Sequence, residues 1–182
     1  MEQISILLTQ KQAKYLYQSL TLTVFGLFFA TSFLVVLLWE LQQIRDQLTN
    51  WYLINVLILG LRLVFNRFYQ RSSTDNNSQK WIYLYIFGAC LNGTLLSLII
   101  FLIPASQDIY YTYVLLLLGS ISIASIASMG VIKIAFMTYI TALSAPVIIF
   151  FITHINDPQS FHFYVYLFFF FPLVLLLVLI RA

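Results

Sequence analysis

Charged residues are scarce in this chain of 182 residues, where they make up only 8% of the sequence. Soluble domains carry about 25%. Hydrophobic residues account for 62%, so most side chains must face lipid or one another. The scarcity of charge excludes a soluble catalytic domain of any size, and it excludes the dense basic surface that nucleic-acid binding requires.

Cysteine occurs only once, and acidic residues are absent from the apolar runs. The single Cys90 excludes a disulfide within the chain, and a small packing residue is its simplest role. No Asp or Glu falls within the apolar runs, whereas ion-coupled pumps depend on such groups inside the membrane. Coupled transport is therefore disfavoured, and so is a membrane enzyme, since no titratable groups converge. We expect no catalytic residue and no cofactor.

Long apolar runs are what the chain does have, six of them from Ser19 onward. A run of about 20 residues crosses the ~30 Å hydrocarbon core as a helix. The sequence predicts an all-α polytopic membrane protein, with one domain of six transmembrane helices over residues 19–182. The predicted spans are about 19–39, 51–69, 81–103, 110–129, 131–153 and 161–180.

Residues 1–18 precede the first run and are mixed in polarity. Ile4, Leu7, Leu8 and Tyr15 recur at helical spacing with polar residues between them. This pattern predicts a short amphipathic helix on the cytoplasmic membrane surface, with a frayed tail as the alternative.

The basic residues predict the orientation. If the N-terminus is cytoplasmic, seven basic residues fall on the cytoplasmic side: Lys11, Lys14, Arg67, Arg71, Lys80, Lys133 and Arg181. Only Arg45 then falls outside, as the positive-inside rule requires. We expect both termini in the cytoplasm, and Trp39, Trp51 and Trp81 as interfacial anchors.

Arg62 is the one charged residue deep within a predicted span. Asn55 shares its helical face, and Asn92 in span three lies at a similar depth, on a stripe with Tyr85. These four residues are the candidates for a ligand site or switch. The alternative is that Arg62 extends its long side chain to the cytoplasmic headgroups.

Two rows of small residues favour close helix packing, within the bundle or between protomers. The first is Ala89, Gly93 and Ser97, and the second is Ser120, Ala124 and Ser128. We expect a homodimer. His154 and His162 flank Asp157 with a spacing that matches no recognised ligand pattern, so a metal site or haem is disfavoured.

Two stretches resemble a known family. One is Trp81-x3-Tyr85-x2-Gly88-Ala89-x3-Gly93 with Pro104 beyond, and the other is Leu118–Ser128 followed by Pro146. The chain is similar to the six-span N-terminal membrane region of bacterial GGDEF and GGDEF–EAL proteins and sensor histidine kinases. It departs from them at Thr94–Ser97, where many relatives carry a Trp-Gly pair.

The resemblance implies a sensory or anchoring domain in the inner membrane of a bacterial cell. It would relay a membrane cue or a small amphipathic ligand to a cytoplasmic output domain. The chain ends at Ala182, just after span six, so we expect an excised domain, with Pro172 as a candidate pivot. Two alternatives stay open. One is a small transporter or channel whose polar path uses Asn55, Arg62, Asn92, Thr141 and Ser144, and the other is a structural subunit of a membrane complex.

Overall fold

The structure is a computed structural model that describes residues 2–72, 78–104, 107–129 and 132–153, with side chains described from Leu8 onward except at Asp108 and Ala127. These residues form helices and turns, which confirms the all-α prediction. The helices are α1 Glu2–Leu38, α2 Arg45–Arg71, α3 Ser78–Ser97, α4 Asp108–Met129 and α5 Lys133–Thr153. Predicted span six, with His154, His162, Asp157 and Pro172, lies outside the described residues.

Five segments of the described chain are long and apolar enough to cross a membrane. They are Leu8–Leu38, Gln42–Arg71, Ser78–Leu102, Ile109–Ile126 and Lys133–Thr153. Large apolar side chains project outward from them, with Leu22 80% and Val36 73% exposed. An apolar exterior of this kind suits contact with lipid rather than water.

No boundary falls at residue 18, where the sequence predicted a separate interfacial helix. Instead, α1 is one helix of 37 residues, about 55 Å long at 1.5 Å per residue. Neither Pro nor Gly occurs between Glu2 and Phe25 to interrupt it. Leu16 and Tyr17 on this segment are buried against the bundle, and the helix is continuous across residue 18.

The connection from α1 to α2 is shorter than predicted. It contains a 3₁₀ turn, Gln42–Ile44, and α2 already begins at Arg45. The Arg45 Nε donates a hydrogen bond to the Trp39 carbonyl at 2.9 Å, and its guanidinium lies over the Trp39 ring. These contacts close the turn and bring α2 back antiparallel to α1.

Helix α3 lies at the centre of the described bundle, where it packs against α1, α2 and α5. It continues as a 3₁₀ segment, Leu98–Leu102, before Pro104. Helix α1 packs in turn against α2, α3 and α4, and α4 against α5. The interface between α2 and α3 contains the buried polar residues Asn55, Arg62 and Asn92.

Candidate ligand site between α2 and α3

One face of α2 is buried, and half of its residues are polar. Positions three and four residues apart share a helical face, and the buried residues of α2 follow that spacing: Leu48, Trp51, Asn55, Leu59, Arg62 and Asn66. Asn55 is 0% exposed and Arg62 only 3%. The structure thus places the polar face expected from the sequence inside the bundle, away from lipid.

Arg62 lies along α3 with its guanidinium enclosed. A Cβ built on Gly88 would meet the Arg62 Cγ at 3.4 Å. The aliphatic part of the Arg62 side chain therefore packs against Gly88, which has no side chain to obstruct it. The Arg62 Cζ lies over the Tyr85 ring, 5.4 Å from its centroid. With the side chain buried in protein, the alternative in which Arg62 reaches the headgroups does not hold in this structure.

The terminal nitrogens of Arg62 are unpartnered in the described part of the chain. Neither Nη1 nor Nη2 donates a hydrogen bond there. The described acidic residues are at helix ends or in turns: Glu2, Glu40, Asp46 and Asp108. Burying a guanidinium without a counter-charge costs several kcal/mol of folding free energy. An anion or a group with several acceptor atoms would offset this cost.

Asn55 and Asn92 lie at a second level of the same interface. Arg62 meets Tyr85, and the Trp51 indole nitrogen donates to the Leu95 carbonyl at 2.6 Å. Helices α2 and α3 are antiparallel. Asn55 lies seven residues before Arg62 on α2, and Asn92 lies seven residues after Tyr85 on α3, so both asparagines are displaced from the Arg62–Tyr85 contact in the same direction. The two asparagines are therefore about 10.5 Å from the Arg62 level along the helix axes.

The orientation of the Asn55 amide follows from its one hydrogen bond. Its Nδ2 donates to the Trp51 carbonyl at 2.8 Å, which leaves Oδ1 as a free acceptor. Asn92 is fully buried, and both its Oδ1 and its Nδ2 are unpartnered among the described residues.

We call Asn55, Arg62, Tyr85 and Asn92 the polar cluster. The six buried side-chain polar atoms that have no partner in the described residues all belong to it. They comprise the two Arg62 nitrogens, the Tyr85 hydroxyl, the Asn55 oxygen and both polar atoms of Asn92. Buried polar groups are normally paired, so their concentration in one interface makes the polar cluster the candidate ligand site.

An aromatic group covers the Trp81 end of the cluster. The Tyr17 ring stacks on Tyr69 with centroids 4.1 Å apart, and it meets Tyr85 and Trp81 edge-on. The Tyr17 hydroxyl donates to the Trp81 carbonyl at 3.1 Å. Sequence reasoning missed Tyr17, since nothing local indicates that α1 meets α2 and α3 there.

The first row of small residues lies in the α3–α5 interface. Ala89, Gly93 and Ser97 are all buried. A Cβ at Gly93 would meet the Tyr139 ring at 3.1 Å and the Tyr139 carbonyl at 3.3 Å. Only glycine allows α5 to approach this closely, which makes Gly93 a packing residue. Tyr139, 1% exposed, is a neighbour that sequence reasoning did not identify.

The second row lies mostly on the outside of the described bundle. Ser120 and Ala124 are exposed and Ser128 is half-buried. The buried serines of α4 are Ser122 and Ser125, on another face. Of the residues predicted to line a polar path, Thr141 is exposed and bonds to the Met137 carbonyl, and Ser144 bonds to the Ile140 carbonyl.

The arrangement suits recognition more than chemistry. The Arg62 nitrogens, the Asn92 amide and the Tyr85 hydroxyl offer donors, and the two asparagine oxygens offer acceptors. Among the described residues, no three His, Cys, Asp or Glu side chains come together as a metal centre would require. No protein-family model, no curated protein and no solved structure matches this chain, so the resemblance to signalling proteins stays a prediction.

Proposed function

We propose that this chain is the membrane-embedded sensory domain of a bacterial signal-transduction protein. In this proposal a small ligand binds the polar cluster, and the domain relays its presence to a cytoplasmic output domain of the diguanylate cyclase, phosphodiesterase or histidine-kinase class. The single observation that supports it most is Arg62, buried in the bundle with two unpartnered nitrogens.

A buried, unpaired charge suits a switch. Without a ligand the Arg62 charge destabilises the closed α2–α3 interface, so arrangements that hydrate the guanidinium compete with it. A ligand that neutralises the charge stabilises the closed arrangement selectively. A ligand changes an equilibrium only by its difference in affinity for the two states, and pairing Arg62 in one of them supplies that difference.

The transport alternative gains no support from the position of its predicted path. Thr141 lies on the outside of α5 and Ser144 bonds within its own helix. The polar cluster is bounded by Trp51 at one level and by Tyr17, Tyr69 and Trp81 at the other. Large aromatic groups at both ends suit an enclosed site better than a continuous path.

The sensory role is testable with a chimaera. The chain is fused after Ala182 to the kinase core of a characterised sensor, and reporter output is measured with and without extracts of the source organism's culture medium. We expect Arg62→Leu to change the output or abolish its response while membrane insertion stays normal. Arg67→Leu, on the same helix but exposed, is the matched control. An unchanged response in Arg62→Leu at normal expression would contradict the proposal.

A further inference from the structure

We infer that the ligand is a small amphiphile with a single carboxylate, held by the two terminal nitrogens of Arg62, and with a hydroxyl or amide further along its chain, held by Asn55 and Asn92. The inference rests on the proposed function, because it assigns the ligand class of the same site.

Charge balance favours a monoanion. Arg62 is the one buried cation among the described side chains, since Lys14, Arg67 and Lys133 are exposed. One negative charge makes a neutral pair inside the bundle, whereas a dianion such as a phosphate monoester leaves an uncompensated charge in a medium of low dielectric constant. The described helices offer no second buried cation to balance it.

The geometry of the guanidinium favours a carboxylate. The Tyr85 ring covers one face of the Arg62 guanidinium, and the aliphatic part of the Arg62 side chain packs against Gly88. Nη1 and Nη2 have no partner among the described residues. An in-plane carboxylate accepts two parallel hydrogen bonds from such a fork, and it does so without displacing the aromatic ring.

Asn55 and Asn92, the second level of the polar cluster, suit a neutral polar group on the ligand. The Asn55 oxygen is free to accept because its nitrogen is held by the Trp51 carbonyl. An O–H or N–H on the ligand satisfies this acceptor and the Asn92 amide together. The levels are seven residues apart on both helices, about 10.5 Å, so a medium-length apolar chain connects the two groups.

The depth of Arg62 favours a free amphiphile over a bilayer lipid. Arg62 precedes the exposed Arg67 by five residues and follows Trp51 by eleven, about 7.5 Å and 16.5 Å along the helix. A lipid phosphodiester is also a monoanion with two free oxygens, but it resides at the membrane interface. A carboxylate on a mobile chain reaches the Arg62 level more readily.

The test is calorimetric titration of the full chain in phosphate-free maltoside micelles at pH 8, where carboxyl groups are ionised. The probes are octanoate, octanol and 8-hydroxyoctanoate, with dioctanoyl phosphatidylglycerol as the phosphodiester. We expect octanoate to bind at least about tenfold tighter than octanol, as charge-assisted hydrogen bonds allow. The hydroxyl should strengthen binding a further several-fold, about the effect of one neutral hydrogen bond.

The variants separate the two levels. Arg62→Gln should remove the preference for octanoate over octanol, and Arg67→Gln should keep it. Asn92→Leu should remove only the gain from the hydroxyl. If Arg62→Gln does not fold, Arg62→Lys keeps the charge without the fork and should weaken octanoate binding several-fold.

Equal affinity of octanoate and octanol would overturn the inference, as would a preference for octanoate that survives in Arg62→Gln. Tighter, Arg62-dependent binding of the phosphatidylglycerol would overturn the carboxylate in favour of a lipid phosphodiester. The sensory role fails separately, if octanoate binds through Arg62 while the chimaera stays unresponsive. If the chimaera responds through Arg62 to another molecule and octanoate does not bind, the carboxylate assignment is wrong and the sensory role stands.

Discussion

Two of the helices that pack against α3, α5 and α2, contrast sharply. Toward α5, Gly93 brings the helices into contact across the Tyr139 ring, and the Cys90 thiol donates to the Thr138 carbonyl at 3.8 Å. Toward α2, Gly88 and Tyr85 enclose a charge that has no partner among the described residues. The first interface has no unpartnered buried polar atom among the described residues, whereas the second contains several, as the proposed ligand site would.

This difference teaches that burial alone does not identify a functional residue. Ser97 is as buried as Asn92, at 0% exposure, yet its hydroxyl donates to the Gly93 and Thr94 carbonyls. Asn66 on α2 is likewise paired, with Thr21. What distinguishes the polar cluster is its buried polar atoms without partners among the described residues.

The largest effect is expected at the α3–α5 interface. Gly93→Leu should destabilise the bundle by about 3 kcal/mol or more, because overpacking in a close-packed interface forces the helices apart. Gly93→Ala should cost about 1 kcal/mol, since its Cβ would meet Tyr139 at 3.1 Å. Unfolding in a denaturing detergent measures both. Gly60→Ala is the control, with nothing within 4 Å, and a similar loss there would refute the close-contact explanation.

The α2–α3 interface should respond with the opposite sign. Arg62→Leu should leave stability unchanged or raise it by about 1–3 kcal/mol in the absence of ligand, because replacing an unpaired buried charge by an apolar side chain removes a desolvation cost. The same unfolding assay measures this. A large destabilisation would mean that Arg62 is paired in the folded protein and that the polar cluster is structural.

A smaller effect is expected at Trp51, at one end of the α2–α3 interface. Trp51→Phe keeps an aromatic ring but removes the 2.6 Å hydrogen bond to the Leu95 carbonyl together with part of the buried indole, which should cost about 1–2 kcal/mol. Trp39→Phe is a suitable control, because Trp39 is exposed and the substitution keeps the backbone carbonyl that accepts from Arg45. Equal stability of Trp51→Phe and the native chain would show that this bond does not fix the α2–α3 register.

The smallest effect on the protomer is expected on the outer face of α4. Ala124→Leu should change protomer stability by less than about 0.5 kcal/mol, since the site is exposed. If the row Ser120, Ala124 and Ser128 joins two copies of the chain, the same substitution should abolish cross-linked dimer in membranes. Ile123→Leu, also exposed, is the control. Dimer that persists in Ala124→Leu would exclude this row as the dimer contact.

Helical periodicity and hydropathy were sufficient to predict the helical class and the approximate extent of α2 to α5. They also predicted that Asn55 and Arg62 share a face, because that depends only on the geometry of one helix. They could not predict that α1 continues through residue 18, since the contacts of Tyr17 with Tyr69 and Trp81 join residues far apart in the chain.

The inward face of α4 was also beyond the sequence. Its small residues occur on several faces, and its apolar residues surround it, so no amphipathic pattern shows which side packs inward. The missing partners of Arg62 and Asn92 could not be predicted either, because a hydrogen bond depends on how separate helices meet.

The most direct test of the central claim is native mass spectrometry of the full chain released from maltoside micelles. If Arg62 is charged and paired with a bound anion, the native chain and Arg67→Leu should carry a small anionic molecule that Arg62→Leu lacks. The same bound species on the native chain and Arg62→Leu, or none on the native chain after purification without washing steps, would contradict the claim that the polar cluster is a ligand site.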